Sequence, residues 1–136
     1  VTHTIGQLMS TRVVTVEMDD RLMVAKDIFE QAPFHHLPVL DENGHLAGML
    51  SERDLLRAIS PHIGAVGETN RDLDTLLKRI HQVMRRNPVT APPSLSVDSA
   101  AKLLLQHNIG SLVVLDGDSL VGIVTWKDLL RHYINP

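Results

Sequence analysis

Two tetrapeptides place a hydroxyl three residues ahead of a carboxylate: Ser51-Glu52-Arg53-Asp54 and Thr125-Trp126-Lys127-Asp128. Each follows an apolar run that reads as a strand and opens a stretch of helical periodicity, so the hydroxyl stands where a helix begins. That spacing serves two chemistries. In the first it is a capping box, in which the two side chains satisfy free backbone N–H groups, although Asp fits this role less well than Glu or Gln. In the second, the free N–H groups and the positive end of the helix attract phosphate, and the carboxylate one turn in accepts hydrogen bonds from ribose hydroxyls. The residues alone leave both open, because a duplication copies caps as faithfully as it copies sites.

Other chemistries are poorly supplied. The 136 residues contain no cysteine, which removes disulfides, thiol nucleophiles and thiolate metal sites. It also fits a reducing compartment, and the cytoplasm is the expected location. Of the eight histidines (His3, His35, His36, His45, His62, His81, His107 and His132), none forms an i, i+4 pair or an H-E-x-x-H motif. No metal site is expected. Neither a G-x-S-x-G elbow nor a phosphate-cradling G-x-x-x-x-G-K-[ST] loop occurs, so a binding module is expected rather than an enzyme, with no required cofactor.

The net charge of −3 gives no basic footprint for nucleic acid. The four aromatic side chains Phe29, Phe34, Trp126 and Tyr133 are too few for a sheet that stacks RNA bases. No apolar run approaches 18 residues and no signal-like N-terminus is present, so membrane insertion is not expected. The chain opens on Val1 rather than Met, and an attached effector domain or a separate regulated enzyme is expected as a partner.

The elements that must position these residues are written twice. His36-Leu37-Pro38-Val39-Leu40-Asp41 is echoed by Ser111-Leu112-Val113-Val114-Leu115-Asp116, and Gly48-Met49-Leu50-Ser51-Glu52-Arg53-Asp54-Leu55-Leu56-Arg57 by Gly122-Ile123-Val124-Thr125-Trp126-Lys127-Asp128-Leu129-Leu130-Arg131. Met9 matches Met84, Val14-Thr15 matches Val89-Thr90, and Ala25 matches Ala100. The offset is 75 up to Asp116 and 74 beyond it, one residue being lost in the second turn. Each copy, of roughly 55 residues, is small enough to be marginal alone. Two copies packed about a pseudo-two-fold axis are expected, with surfaces and ligand sites in pairs.

Both copies read β-α-β-β-α, an α/β chain of the α+β kind. In the first, Val13–Val16 is a strand. Asp19 or Asp20 stands where the N-cap of the following helix belongs, and Leu22, Ala25, Ile28 and Phe29 form its apolar face. Leu37–Leu40 and His45–Leu50 are strands joined by a turn in which Asn43-Gly44 supplies positive φ, and Ser51 opens the last helix. In the second copy the strands are Val89–Ala91, Leu112–Leu115 and Leu120–Val124, with helices from Ser96 or Val97 and from Thr125. The crossover ahead of each hairpin is expected to be right-handed. Ser60–Asn70 reads as a linker, and the stripe Leu73, Leu76, Leu77, Ile80, Val83 predicts a helix over Arg71–Val83 that packs as a strut. The expected division is repeat 1 over 5–58, linker and helix over 59–79, and repeat 2 over 80–132.

The ordered set of motifs, present twice, resembles a tandem pair of CBS domains, the cystathionine-β-synthase-type regulatory module, also called a Bateman module. The resemblance covers nearly the whole chain. It implies a disc of two repeats that binds adenine nucleotides or related adenosyl ligands in clefts between them, as regulatory ligands, and that pairs into a homodimer. Carried onto this sequence, it implies that Asp54 and Asp128 hold ribose hydroxyls and that Ser51 and Thr125 meet ribose or phosphate. His35-His36-Leu37-Pro38 and Ile109-Gly110-Ser111-Leu112 would border the base. Thr15 and Thr90, with Thr11 and Arg86 just before them, would line the cleft, and Arg53 and Lys127 would neutralise phosphate. Val113 departs from the pattern that Pro38 follows, so the two clefts are not expected to be equivalent.

Overall fold

Leu37, Pro38 and Val39 are fully buried, and so are their counterparts Leu112, Val113 and Val114. Uninterrupted burial along a strand is the mark of a central strand, and the computed structural model, which describes residues 3–136, places both runs in the interior of their sheets.

The chain forms two compact units. The unit Val14–Asn87 contains β1 (Val16–Glu17), α2 (Leu22–Gln31), β2 (His36–Leu40), β3 (Leu46–Ser51), α3 (Glu52–Ala58), α4 (Asn70–Asp74) and β4 (Arg85–Arg86). The other consists of the chain up to Val13, with α1 (Ile5–Leu8), together with Pro88–Pro136, which carries β5 (Thr90–Ala91), α5 (Val97–His107), β6 (Ser111–Asp116), β7 (Ser119–Thr125) and α6 (Trp126–Ile134). In the first, β1 pairs parallel to β2, β2 antiparallel to β3, and β3 antiparallel to β4. In the other, β5 pairs parallel to β6 and β6 antiparallel to β7. The β-α-β-β-α order is therefore present in both.

The cores follow the sequence periodicity. Leu22, Ala25 and Phe29 of α2 meet Leu37, Val39, Leu50 and Leu55, while Val97, Ala100 and Leu104 of α5 meet Leu112, Val114, Val124 and Leu129. Each core also takes in residues from the opposite sequence repeat. Ile80 is fully buried in the core of the first unit, and Ile5, 75 residues earlier, is fully buried in the core of the other.

The segments that carry these isoleucines extend the sheets in matching ways. Arg85 and Arg86 pair with Met49 and Gly48, and Ser10 bridges Ile123. Gly48 and Gly122 admit the approach: an added Cβ would lie 2.7 Å from the Arg85 carbonyl oxygen and the Met84 sulfur in one unit, and 2.9 Å from the Ser10 carbonyl oxygen and 2.5 Å from the Met9 sulfur in the other. Sequence repeat and compact unit are thus not the same set of residues.

Several local expectations change. The continuous helix over Arg71–Val83 does not form. The chain instead passes through α4, a 3-10 turn at Thr75–Leu77, extended Lys78 and Arg79, and a second 3-10 turn at Ile80–Gln82. The break lets backbone groups pair with the loop between β1 and α2: Leu22 N–H donates to the Lys78 carbonyl at 2.9 Å, Ile80 N–H to Asp20 at 2.9 Å, and His81 N–H to Met18 at 3.0 Å. A continuous helix would have kept those groups for itself.

Asp19 and Asp20 do not cap α2. The N-cap is Arg21, without a side-chain bond, and the Asp20 carboxylate accepts the Glu17 N–H at 2.9 Å to close the preceding turn. In the β2–β3 turn only Gly44 has positive φ, and the Asp41 carboxylate organises the loop by accepting from Asn43 N–H and His45 N–H. The first strands are shorter than expected, two residues each, because pairing begins only at Val16 and Thr90.

Candidate functional site

The two Ser/Thr-x-x-Asp corners fold alike and bond differently. Ser51 is the N-cap of α3, its Oγ accepting the Asp54 N–H at 3.0 Å. Thr125 is the N-cap of α6, its Oγ1 accepting the Asp128 N–H at 3.4 Å. Each corner is tied to the loop before the central strand: Glu52 N–H donates to the His35 carbonyl at 2.9 Å, and Trp126 N–H to the Gly110 carbonyl at 3.1 Å.

At Asp128 the capping box is complete. Its Oδ2 accepts from Thr125 N–H at 2.9 Å and from Thr125 Oγ1 at 3.2 Å, and its Oδ1 pairs with an Arg131 guanidinium nitrogen one turn on, at 3.0 Å. Both oxygens are occupied by residues three positions away along the chain.

Asp54 makes no such return bond. Its side chain is only 13% exposed, and Oδ2 is buried without a hydrogen bond. The Nε of Arg85 stands 3.4 Å from that oxygen, an ion-pair contact without hydrogen-bond geometry. An unmet buried acceptor typically costs about 1–3 kcal/mol, so this oxygen is poised for a donor from outside.

His36 completes the corner. It lies opposite Ser51 in the β2–β3 register. Its pKa is held below the ordinary histidine value, first by burial and then by the charges of His35 and Arg85, with Asp54 pulling the other way. The folded state therefore binds fewer protons than the unfolded chain in the window below pH 6.5, and stability contributed by neutral His36 is lost on acidification through that window. We expect the melting temperature to fall between about pH 7.5 and about pH 5.5, and His36→Gln to flatten part of that slope. Thermal melts across this range check it, and an unchanged slope in the variant would refute the assignment.

Beside Asp54 lies an open depression of about 480 Å³ lined by Asp54, Arg57, Ala58, Lys78, Gln82 and Val83. Glu52 is engaged elsewhere, its carboxylate 3.3 Å from His35 Nδ1.

The other sequence-predicted residues are placed as follows. Leu37, Pro38, Ser111 and Leu112 are buried at the starts of β2 and β6, and Ser111 lies opposite Thr125. Ile109 and Gly110 are half-buried in the loop ahead of β6. Thr15 is half-buried ahead of β1, while Thr11, Thr90 and Arg53 are exposed. Lys127 is exposed, its Nζ 5.7 Å from the Trp126 ring centroid, and Arg86 reaches the His81 carbonyl at 3.4 Å. Among the described residues none of these forms an ion pair with Asp54 or Asp128. The family resemblance points to Arg86, whereas its neighbour Arg85 is the residue that reaches Asp54. The signal was a break in the repeat, since the position equivalent to Arg85 is Ser10. No group of three or more potential metal-ligating side chains occurs among the described residues, and none of the described helices is long and apolar enough to cross a membrane.

The family model described as CBS domain matches the chain twice, at residues 5–61 and 80–135. The protein is a tandem CBS domain pair. A CBS domain-containing protein of Dictyostelium discoideum is 40% identical over 130 residues, 93% of this chain and 88% of that protein. Among solved structures, the CBS domain pair of protein MJ0100 in complex with 5′-methylthioadenosine and S-adenosyl-L-methionine is 28% identical with a TM-score of 0.80, the match covering 98% of this chain and 97% of that one. CBSX2 in complex with AMP is 26% identical with a TM-score of 0.78, the match covering 97% of this chain and 96% of that one. The mixed α+β fold, with two small sheets and their helices, is that of these CBS pairs.

Proposed function

We propose that this CBS pair is a regulatory, non-catalytic module that binds an adenosyl ligand, with Asp54 receiving the ribose hydroxyls. The observation that carries this reading is the buried Oδ2 of Asp54, an acceptor with no donor. A ribose diol brings two O–H donors to such a carboxylate. The ligands of the two CBS pairs named above, AMP in one and 5′-methylthioadenosine and S-adenosyl-L-methionine in the other, have in common adenine on a ribose with a free 2′,3′-diol.

In this reading the loop His35–Leu37 borders the base, Ser51 orients the corner, and ligand entry displaces Arg85 from Asp54. Because Arg85 lies on β4, its release changes what that edge of the sheet presents, and binding shifts the population of conformations that a partner reads. Asp128, Thr125 and the loop Ile109–Leu112 would form a second, weaker corner. The apolar side chains Leu56 of α3 and Trp126, Leu130 and Ile134 of α6 are exposed, and we assign them to a homodimer contact.

Native mass spectrometry of the full chain with AMP, ATP, S-adenosyl-L-methionine and 5′-methylthioadenosine reads ligand number and assembly mass together. At least one adenosyl ligand bound per chain is expected. No binding at millimolar concentration would leave a purely structural dimerisation module.

A further inference from the structure

Asp54 and Asp128 are equivalent in the repeat, yet their cations come from different places. Asp128 takes Arg131 from its own helix. The residue equivalent to Arg131 is Arg57, which instead lines the depression beside Asp54 together with Lys78. Asp54 takes Arg85 from β4, where the other unit has Ser10. The Arg85 backbone is paired with Met49, while its side chain is 67% exposed. Lys78, which lines the same depression, donates from Nζ to the Ala58 carbonyl at 3.3 Å. Arg85 thus contacts the carboxylate while Arg57 and Lys78 line the depression beside it, and the neighbouring Glu52 is already paired with His35.

We propose that the Asp54 corner selects adenosyl ligands that carry a 5′-phosphate, and that Arg85 is the selecting residue. This rests on the reading of Asp54 as the ribose acceptor. When ribose O–H groups occupy the carboxylate, Arg85 loses its partner and its planar fork is free to donate to phosphate oxygens, the geometry for which arginine is suited. Arg57 and Lys78 add positive potential along the depression into which further phosphates would extend. The Asp128 corner has Ser10 in place of Arg85 and its own arginine engaged, so it lacks this selection.

The test is isothermal titration of the full chain with AMP and with 5′-methylthioadenosine, for wild type, Arg85→Ser and the bulkier Arg85→Gln, with thermal melts of each. Wild type is expected to prefer AMP. Either substitution should weaken AMP about tenfold or more, the scale of one charge-assisted hydrogen bond, and change 5′-methylthioadenosine by no more than about twofold. Equal weakening of both ligands would make Arg85 a structural support and overturn the proposal. Equal affinity of wild type for both would overturn the selection and leave the ribose reading intact. Binding of neither by wild type would overturn that reading and this inference with it.

Discussion

Asp54→Ala is expected to reduce adenosyl-ligand affinity by about 10- to 150-fold, because a hydrogen bond to a charged group contributes roughly 1.5–3 kcal/mol and 1.4 kcal/mol is a factor of ten. Its melting temperature should hardly change. The ion pair that is lost involves a mostly exposed arginine, an arrangement worth about 0–1 kcal/mol, and the change also removes a buried oxygen with no hydrogen bond.

Asp128→Ala should behave in the opposite way. It dismantles a complete capping box and the pairing to Arg131, a loss of about 1 kcal/mol or somewhat more, and the melting temperature should drop by a few degrees. Binding at the Asp54 corner should persist. Titration with AMP and 5′-methylthioadenosine beside thermal melts of both variants separates the roles. Equal loss of affinity in the two, with equal melts, would show that the bonding difference between the corners has no functional consequence.

Ile5→Ala and Ile80→Ala should each destabilise the protein by about 2–5 kcal/mol, the usual cost of truncating a fully buried isoleucine. The effect should appear in the opposite sequence repeat. Ile5 packs with Leu112, Val114 and Val124, and its N–H donates to the Leu95 carbonyl at 2.9 Å. Ile80 packs with Leu37, Val39 and Leu50.

Native-state hydrogen exchange reads this directly. Ile5→Ala should lower protection first in β6 and β7, and Ile80→Ala first in β2 and β3. Protection lost first in the sheet of the substituted residue's own repeat would contradict the exchange of segments. Loss shared equally by both sheets would contradict two separately cored units.

Much of this protein is determined by its sequence alone. The duplication, the β-α-β-β-α order, the buried runs at Leu37–Val39 and Leu112–Val114, and the caps at Ser51, Ser96 and Thr125 follow from periodicity and local chemistry, which act over a few residues. The pairing of Asp54 with Asp128 is legible for the same reason, since the repeat preserves spacing. Tertiary structure decided what depends on partners distant in the chain. The stripe over Leu73–Val83 has good helical spacing, yet Lys78 and Arg79 stay extended because Leu22, Ile80 and His81 exchange backbone hydrogen bonds across more than fifty residues. Ile5 and Ile80 enter the opposite cores because Gly122 and Gly48 leave room for the Met9 and Met84 segments to close on β7 and β3. The difference between the two carboxylates is likewise hidden in one dimension. Asp128 finds its cation one turn away, whereas Asp54 meets a cation 31 residues on, Arg85, brought in by a two-residue strand at the edge of the sheet.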